Sequence, residues 1–170
     1  MTHLNREIPY SNTEIPYSKS KSNIDEMLKE FGAKALRWTE TEASMVGTEM
    51  PILEFILEAE LKGVQKQIRV RIQPPLLFKT TGRGYNKKHL PNPNASMRML
   101  YWYLKGRLEA TIYGLDDIFE TFMSRIMSQL PNGEETSIGE IIKNKPQILN
   151  ILPTFQIIPI NQLEDKSESP

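Results

Sequence analysis

From Ile52 to Ile72 apolar and polar residues alternate with a period of two, and the alternation is broken once, at Lys62-Gly63. Leu53, Phe55, Leu57, Ala59 and Leu61 share one parity in the first run, with Glu54, Ile56, Glu58 and Glu60 between them. Ile68, Val70 and Ile72 share one parity in the second, against Gln67, Arg69 and Arg71. Successive side chains of a strand point to opposite faces, so the pattern predicts a β-hairpin with one apolar and one charged face. Its turn is either a two-residue one or a longer one that places Gly63 at positive φ. Pro74-Pro75 stops the second strand. The apolar face must be covered by the rest of the chain.

Segments of helical period supply the cover. Ser22 or Asn23 can cap a helix over Ile24 to Phe31, with Asp25 and Glu26 in its first turn and Gly32 ending it. Ala35 to Thr39 reads as a further strand, and the polar link that follows, through Thr48 to Pro51, reads as a loop. Leu76 to Asn94, rich in Gly, Pro, Asn and Lys, also reads as a loop. Asn94 or Ser96 then opens the longest helix, about Met97 to Tyr113, with Met97, Leu100, Leu104, Leu108 and Ile112 on one face. Asn94-Ala95-Ser96 matches a glycosylation sequon, yet nothing at the N-terminus resembles a secretory signal, so it is read as a capping sequence. Asp116 or Asp117 recaps a helix running from Ile118 to Ile126. After a turn at Pro131-Asn132-Gly133, Thr136 or Ser137 caps a short helix over Ile138 to Lys143, with Glu140 placed for a capping box.

The expectation is an α+β fold: a small antiparallel sheet of about three strands packed against an N-terminal helix and two to three C-terminal helices. Its core is Leu53, Phe55, Leu57, Ile68, Val70 and Ile72 against Leu28, Phe31, Leu100, Leu104, Leu108 and Phe122. At 170 residues with 39% hydrophobic side chains, the chain has room for one such domain, read as residues 22–146. Residues 1–21 read as a flexible arm, 147–163 as a Pro-interrupted strap and 164–170 as a disordered tail.

Charge is distributed unevenly. The chain balances 21 basic against 21 acidic residues, yet between Lys62 and Leu108 there are eleven of the basic ones and none of the acidic. Phe78, Tyr85, Tyr101, Trp102 and Tyr103 are interleaved with them. Clustered cations among aromatic rings suit a polyanion with stackable bases, so the partner read from the sequence is DNA or RNA, held through phosphates with low sequence specificity. The candidate nucleic-acid-binding residues are Arg69, Arg71, Lys79, Arg83, Lys87, Lys88, Arg98, Trp102 and Lys105. Two competing readings stand beside this one. Glu58 and Glu60 on the neighbouring strand can neutralise Arg69 and Arg71, and the basic loop can fold onto acidic helices of its own chain.

A second function class rests on the arm. Glu7-Ile8-Pro9-Tyr10-Ser11 is repeated as Glu14-Ile15-Pro16-Tyr17-Ser18. Ile8, Pro9, Tyr10, Ile15, Pro16 and Tyr17 form a candidate doubled linear motif through which a host or phage protein could bind. That reading makes the chain a protein-interaction adaptor or an inhibitor of a host enzyme; a tail with a chance repeat is the plainer alternative.

Catalysis finds little support. There is no cysteine, and His3 and His89 are far apart, so thiol chemistry and a histidine metal site are not expected. Gly82-Arg83-Gly84 lacks the context of a phosphate-cradling loop. Asp116, Asp117 and Glu120 could be imagined as a magnesium site of a nuclease, but acids at a helix start more simply favour its dipole. No cofactor and no enzymatic activity are expected. With no apolar run approaching a membrane span, no membrane partner is expected and the location read is cytoplasmic, inside a host cell.

The run Lys105-Gly-Arg-Leu-Glu-Ala110, with Gly114, Ile118-Phe-Glu-Thr-Phe122, Leu130-Pro-Asn-Gly133 and Ile138-Gly139-Glu140, resembles a group of small uncharacterised phage and prophage proteins. Those proteins carry a helix near K-x-K-L-E-A, a helix near T-F-E-x-x-F and a closing L-P-D-G-x-T-V-G-E. The likeness covers about residues 22–142, and this chain departs from it at the longer, more acidic Gly133-Glu134-Glu135-Thr136-Ser137. The resemblance implies a mobile-element origin and an accessory role in DNA handling, and assigns no role to single residues.

Overall fold

The structure, a computed structural model, describes Tyr10, residues 12–82 and residues 84–145. Along the chain lie α1 (Tyr17–Glu30), β1 (Ala35–Thr39), α2 (Glu42–Met45), β2 (Ile52–Leu61), β3 (Val64–Ile72), β4 (Phe78–Thr81), β5 (Lys88–Pro91), α3 (Pro93–Ile112), α4 (Ile118–Phe122), β6 (Met127–Gln129), β7 (Glu135–Ser137) and α5 (Ile138–Asn144). The architecture is α+β.

The hairpin forms where the alternation places it. Lys62 and Gly63 both take left-handed backbone, φ 52° and 76°. Two such residues make the two-residue turn whose twist matches that of the flanking strands. β1 joins the other edge of β2, giving an antiparallel sheet in the order β1-β2-β3. In this register Leu53, Phe55 and Leu57 stand opposite Ile72, Val70 and Ile68, so six apolar side chains share one face. Ile24 and Leu28 of α1, Met97, Leu100, Leu104 and Leu108 of α3 and Phe122 of α4 are buried with them, while Phe31 is half-buried against the same cluster. Each fully buried aliphatic chain of this size stabilises the fold by about 1.5–3 kcal/mol relative to exposure.

Several boundaries differ from the sequence reading, each for a local reason. The first helix starts at Tyr17, inside the segment read as a flexible arm, because the structure satisfies its first turn from elsewhere. Pro16 sits at the N-cap with φ −61° and offers no side-chain bond, and the Tyr17 amide donates instead to Asn94 Oδ1 at 2.9 Å. Asn94 thus serves the start of α1. The start of α3 is capped by Asn92, whose Oδ1 accepts from the Ala95 amide at 3.2 Å, with Pro93 in the first helical position, where its missing N–H costs nothing. The link after β1 contains α2, closed by a capping box between Thr41 and Ser44. The stretch from 76 to 94, read as a loop, contains the β4-β5 hairpin. The helix read as ending at Ile126 stops at Phe122 and passes through a 3-10 turn, Met123–Arg125, into β6. β6 and β7 pair around the turn at Pro131-Asn132-Gly133.

The α5 start follows the sequence closely. Ser137 Oγ accepts from the Glu140 amide and Glu140 Oε2 accepts from the Ser137 amide, both at 3.2 Å. Gly139 is needed there, since a Cβ would come within 2.6 Å of the Ser124 carbonyl oxygen.

Candidate nucleic-acid interface

β4 and β5 form a ribbon separate from the main sheet, with Lys79 opposite Leu90, Thr80 opposite His89 and Thr81 opposite Lys88. Directly opposed residues of an antiparallel pair share a face. Lys79 and Lys88 therefore lie on the same side of the ribbon, and Thr80 Oγ1 meets His89 Nδ1 at 3.2 Å on the other. The ribbon is anchored at its base. The Asn92 amide donates to the Leu77 carbonyl at 2.7 Å, and the Leu77 amide donates to Ser96 Oγ at 2.8 Å in the first turns of α3.

The far end is a tight turn. Gly82, at φ 89°, faces the Asn86 carbonyl so closely that a Cβ would collide with that oxygen, and the 3-10 turn Gly84–Asn86 leaves Tyr85 entirely in solvent. Lys79, Lys87 and Lys88 are exposed. Among the described residues no carboxylate lies within 4.0 Å of any of the three. Arg83 lies outside the described residues.

Along α3 the candidate residues are arranged differently from a bare stacking surface. The Arg98 guanidinium lies over both the Tyr101 and the Trp102 rings, 4.5 and 5.0 Å from their centroids, and the Lys105 ammonium lies 5.1 Å from the Trp102 centroid. A ring attracts cations to its face. Trp102, 40% exposed, consequently fixes two cations, which approach it from positions four residues before and three after. The Trp102 ring thus stands beside two cations of its own chain, as the spacing of Arg98, Trp102 and Lys105 along one helix face implies. Lys105 is also 3.6 Å from Glu109.

Arg69 and Arg71 belong to another system, on the face of the sheet away from the core. Arg71 reaches Glu54 at 2.9 Å and Glu135 at 3.2 Å, Arg69 reaches Glu135 at 2.6 Å, and Arg37 pairs with Glu54. Both arginines are thus engaged by carboxylates of their own chain. The partners are not the Glu58 and Glu60 considered from sequence. The register sets Arg71 and Arg37 opposite Glu54, while Glu58 faces Gln67 and pairs with Lys34 at 3.3 Å. Glu135 arrives from β7, about 65 residues along the chain, which no local pattern could indicate. Burial alone would raise the Glu54 carboxyl, but hydrogen bonds from Arg37 and Arg71 outweigh it and hold the group below the ordinary carboxylate range. The bond from Arg69 lowers Glu135 in the same way.

No family model, curated protein or solved structure matches this chain. The site must therefore be judged on its own geometry. Asp117 Oδ1 accepts from the Glu120 amide at 2.7 Å as the cap of α4, and Asp116 lies 4.0 Å from Arg107. These carboxylates act at a helix start, and among the described residues no three His, Asp or Glu side chains are grouped to hold a metal ion. No helix among the described residues is long and apolar enough to cross a membrane.

The two copies of the repeat have different fates. Ile8 and Pro9 lie outside the described residues, and Tyr10 is a turn residue at φ 66° whose carbonyl accepts from the Thr13 amide at 2.9 Å. In the second copy Pro16 and Tyr17 build the start of α1, and Tyr17 packs against the core, where burial raises its phenol. Tyr17 is thereby spent on the fold and corrects the picture of two equivalent extended motifs. Tyr85, named with the interleaved aromatics but not among the candidate binding residues, is set apart from them by its placement at the ribbon tip.

Proposed function

We propose that this chain is a non-catalytic nucleic-acid-binding accessory protein of a phage or mobile element, acting in the cytoplasm of a host cell and using the β4-β5 ribbon on phosphates. One observation carries the reading: Lys79, Lys87 and Lys88 stand together in solvent without a carboxylate partner among the described residues. Each phosphate they neutralise would release condensed counterions, which supplies affinity without reading sequence. Arg98, steadied by Tyr101 and Trp102, adds a further cation on α3, whereas Lys105 is drawn to Glu109 and lines the groove between α1 and α3. Tyr85 offers the one fully solvated ring for a base among the described residues. Arg69 and Arg71 are left out of this interface, because binding a phosphate would require them to release Glu54 and Glu135.

The test is charge reversal of the ribbon. Lys79→Glu, Lys87→Glu and Lys88→Glu together should abolish binding to a fluorescent oligonucleotide in about 50 mM salt, while exposed substitutions of this kind shift stability within about 0.5 kcal/mol each. In the unaltered protein log affinity should fall with log salt, and each lysine lost should flatten that slope by about 0.7–0.9. Retained affinity in the triple variant, with an unchanged salt slope, would dispose of the proposal. Gly82→Ala should weaken the same binding without altering charge, since the turn that presents Lys87 and Tyr85 cannot close around a Cβ.

The adaptor reading keeps one structural support, a groove between α1 and α3 that the nucleic-acid reading does not use.

A further inference from the structure

The outer side of the α1–α3 pair carries a groove of about 760 Å³. Its walls follow helical spacing on both sides. α1 contributes Asn23, Glu26, Met27 and Glu30, at intervals of three, four and seven residues; α3 contributes Tyr101, Lys105, Leu108, Glu109 and Ile112, at intervals of four, seven, eight and eleven. Residues so spaced form one stripe along a helix, so the groove is flanked by two stripes running along their helices. Two packed helices with a furrow between them are the seat into which the ridge of a third helix fits. The stripe from Tyr101 to Ile112 is about 16 Å long at 1.5 Å per residue, the length of three turns.

Chemistry narrows the occupant. The floor is apolar, through Met27, Leu108 and Ile112, and Ile112 remains 65% exposed. The rim is acidic. Glu26 and Glu30 have no cation within 4.0 Å among the described residues, and the single lysine of the groove, Lys105, is already drawn to Glu109 and Trp102. From this geometry and charge we infer that the groove docks a basic amphipathic helix of a protein partner, its apolar stripe on Met27, Leu108 and Ile112 and its lysines or arginines over Glu26 and Glu30. The site is separate from the ribbon and does not depend on the nucleic-acid reading.

The probe is a fluorescein-labelled peptide of about 14 residues, leucine at helical spacing and lysine elsewhere, with a counterpart carrying glutamate for every lysine. Added to the full chain, the lysine peptide should bind saturably at one site and the glutamate peptide should not. Glu26→Lys with Glu30→Lys should weaken the lysine peptide at least about tenfold and admit the glutamate peptide, an inversion that loss of fold would not produce. Ile112→Asp should weaken both pairings, whereas the ribbon triple variant should leave them unchanged. Equal binding of the lysine peptide to the rim variant, its loss on the ribbon variant, or no saturable binding would each overturn the inference. So would sedimentation showing that the chain fills the groove with a second copy, revealed by dimers that Ile112→Asp dissolves.

Discussion

Phe122→Ala is expected to lower the free energy of unfolding by about 3–5 kcal/mol. Phe122 is fully buried, and its ring meets Phe55 edge to face, with centroids 5.5 Å apart and planes at 83°. The geometry is the favourable one for two aromatic quadrupoles and adds to the area buried. The position amplifies the loss. α4 has five residues, too few to be helical on its own, and Phe122 is the hydrophobic side chain that it buries completely, beside Phe55 of β2. Truncation therefore opens a cavity beside Phe55 and loosens the segment that leads into β6. Met123→Ala, one residue on and 41% exposed, should change stability by less than about 0.5 kcal/mol. Urea denaturation followed by circular dichroism compares the two. A Phe122→Ala cost below about 1 kcal/mol would mean that the core closes around the gap, against the close packing of protein interiors.

Glu54→Ala should cost about 1–3 kcal/mol at neutral pH. Glu54 is 6% exposed, yet it lies on the sheet face away from the core and holds hydrogen bonds from Arg37 Nε at 3.0 Å and Arg71 Nε at 2.9 Å. A wholly buried ion pair broken from one side costs more, about 3–5 kcal/mol. Here the cost is smaller, because the Arg37 side chain is 67% exposed and can return to water, and Arg71 keeps Glu135. The pH dependence follows from the direction of the shift. The Glu54 carboxyl is held lower in the folded chain than in the unfolded one, so its stabilisation is complete above the unfolded value of about 4.3 and fades as pH falls through the lower folded value. Glu135 and Glu140 are lowered too and act in the same direction. Stability should accordingly be level from about pH 6 to 8 and decline on acidification below about 4.5, with a shallower decline in Glu54→Ala, which has one carboxylate fewer to protonate. Equal acid slopes in the two proteins, measured by urea unfolding at several pH values, would contradict the network.

Legibility in the sequence is greatest where a residue answers to its neighbours along the chain. The hairpin, the β1 strand, the Gly32 helix end and the Ser137–Glu140 capping box depend on local period or local hydrogen bonds, and all take the predicted form. The core membership follows from the same parity, because a strand buried on one face leaves little freedom of register. The candidate interface was legible only as a region. That Lys79, Lys87 and Lys88 meet no carboxylate among the described residues while Arg69 and Arg71 are engaged depends on a strand pairing and on the arrival of β7.

The amino-acid sequence by itself determined the sheet face, the helices that cover it and the concentration of positive charge in the middle of the chain, since periodicity and composition are properties of neighbouring residues. Where α1 begins, which carboxylate meets which arginine, and which lysines meet no carboxylate among the described residues were settled by tertiary contacts. Those outcomes rest on contacts such as Tyr17 with Asn94 and Arg69 with Glu135, between residues dozens of positions apart, and the energy of such a contact exists only once the chain has closed the loop between them.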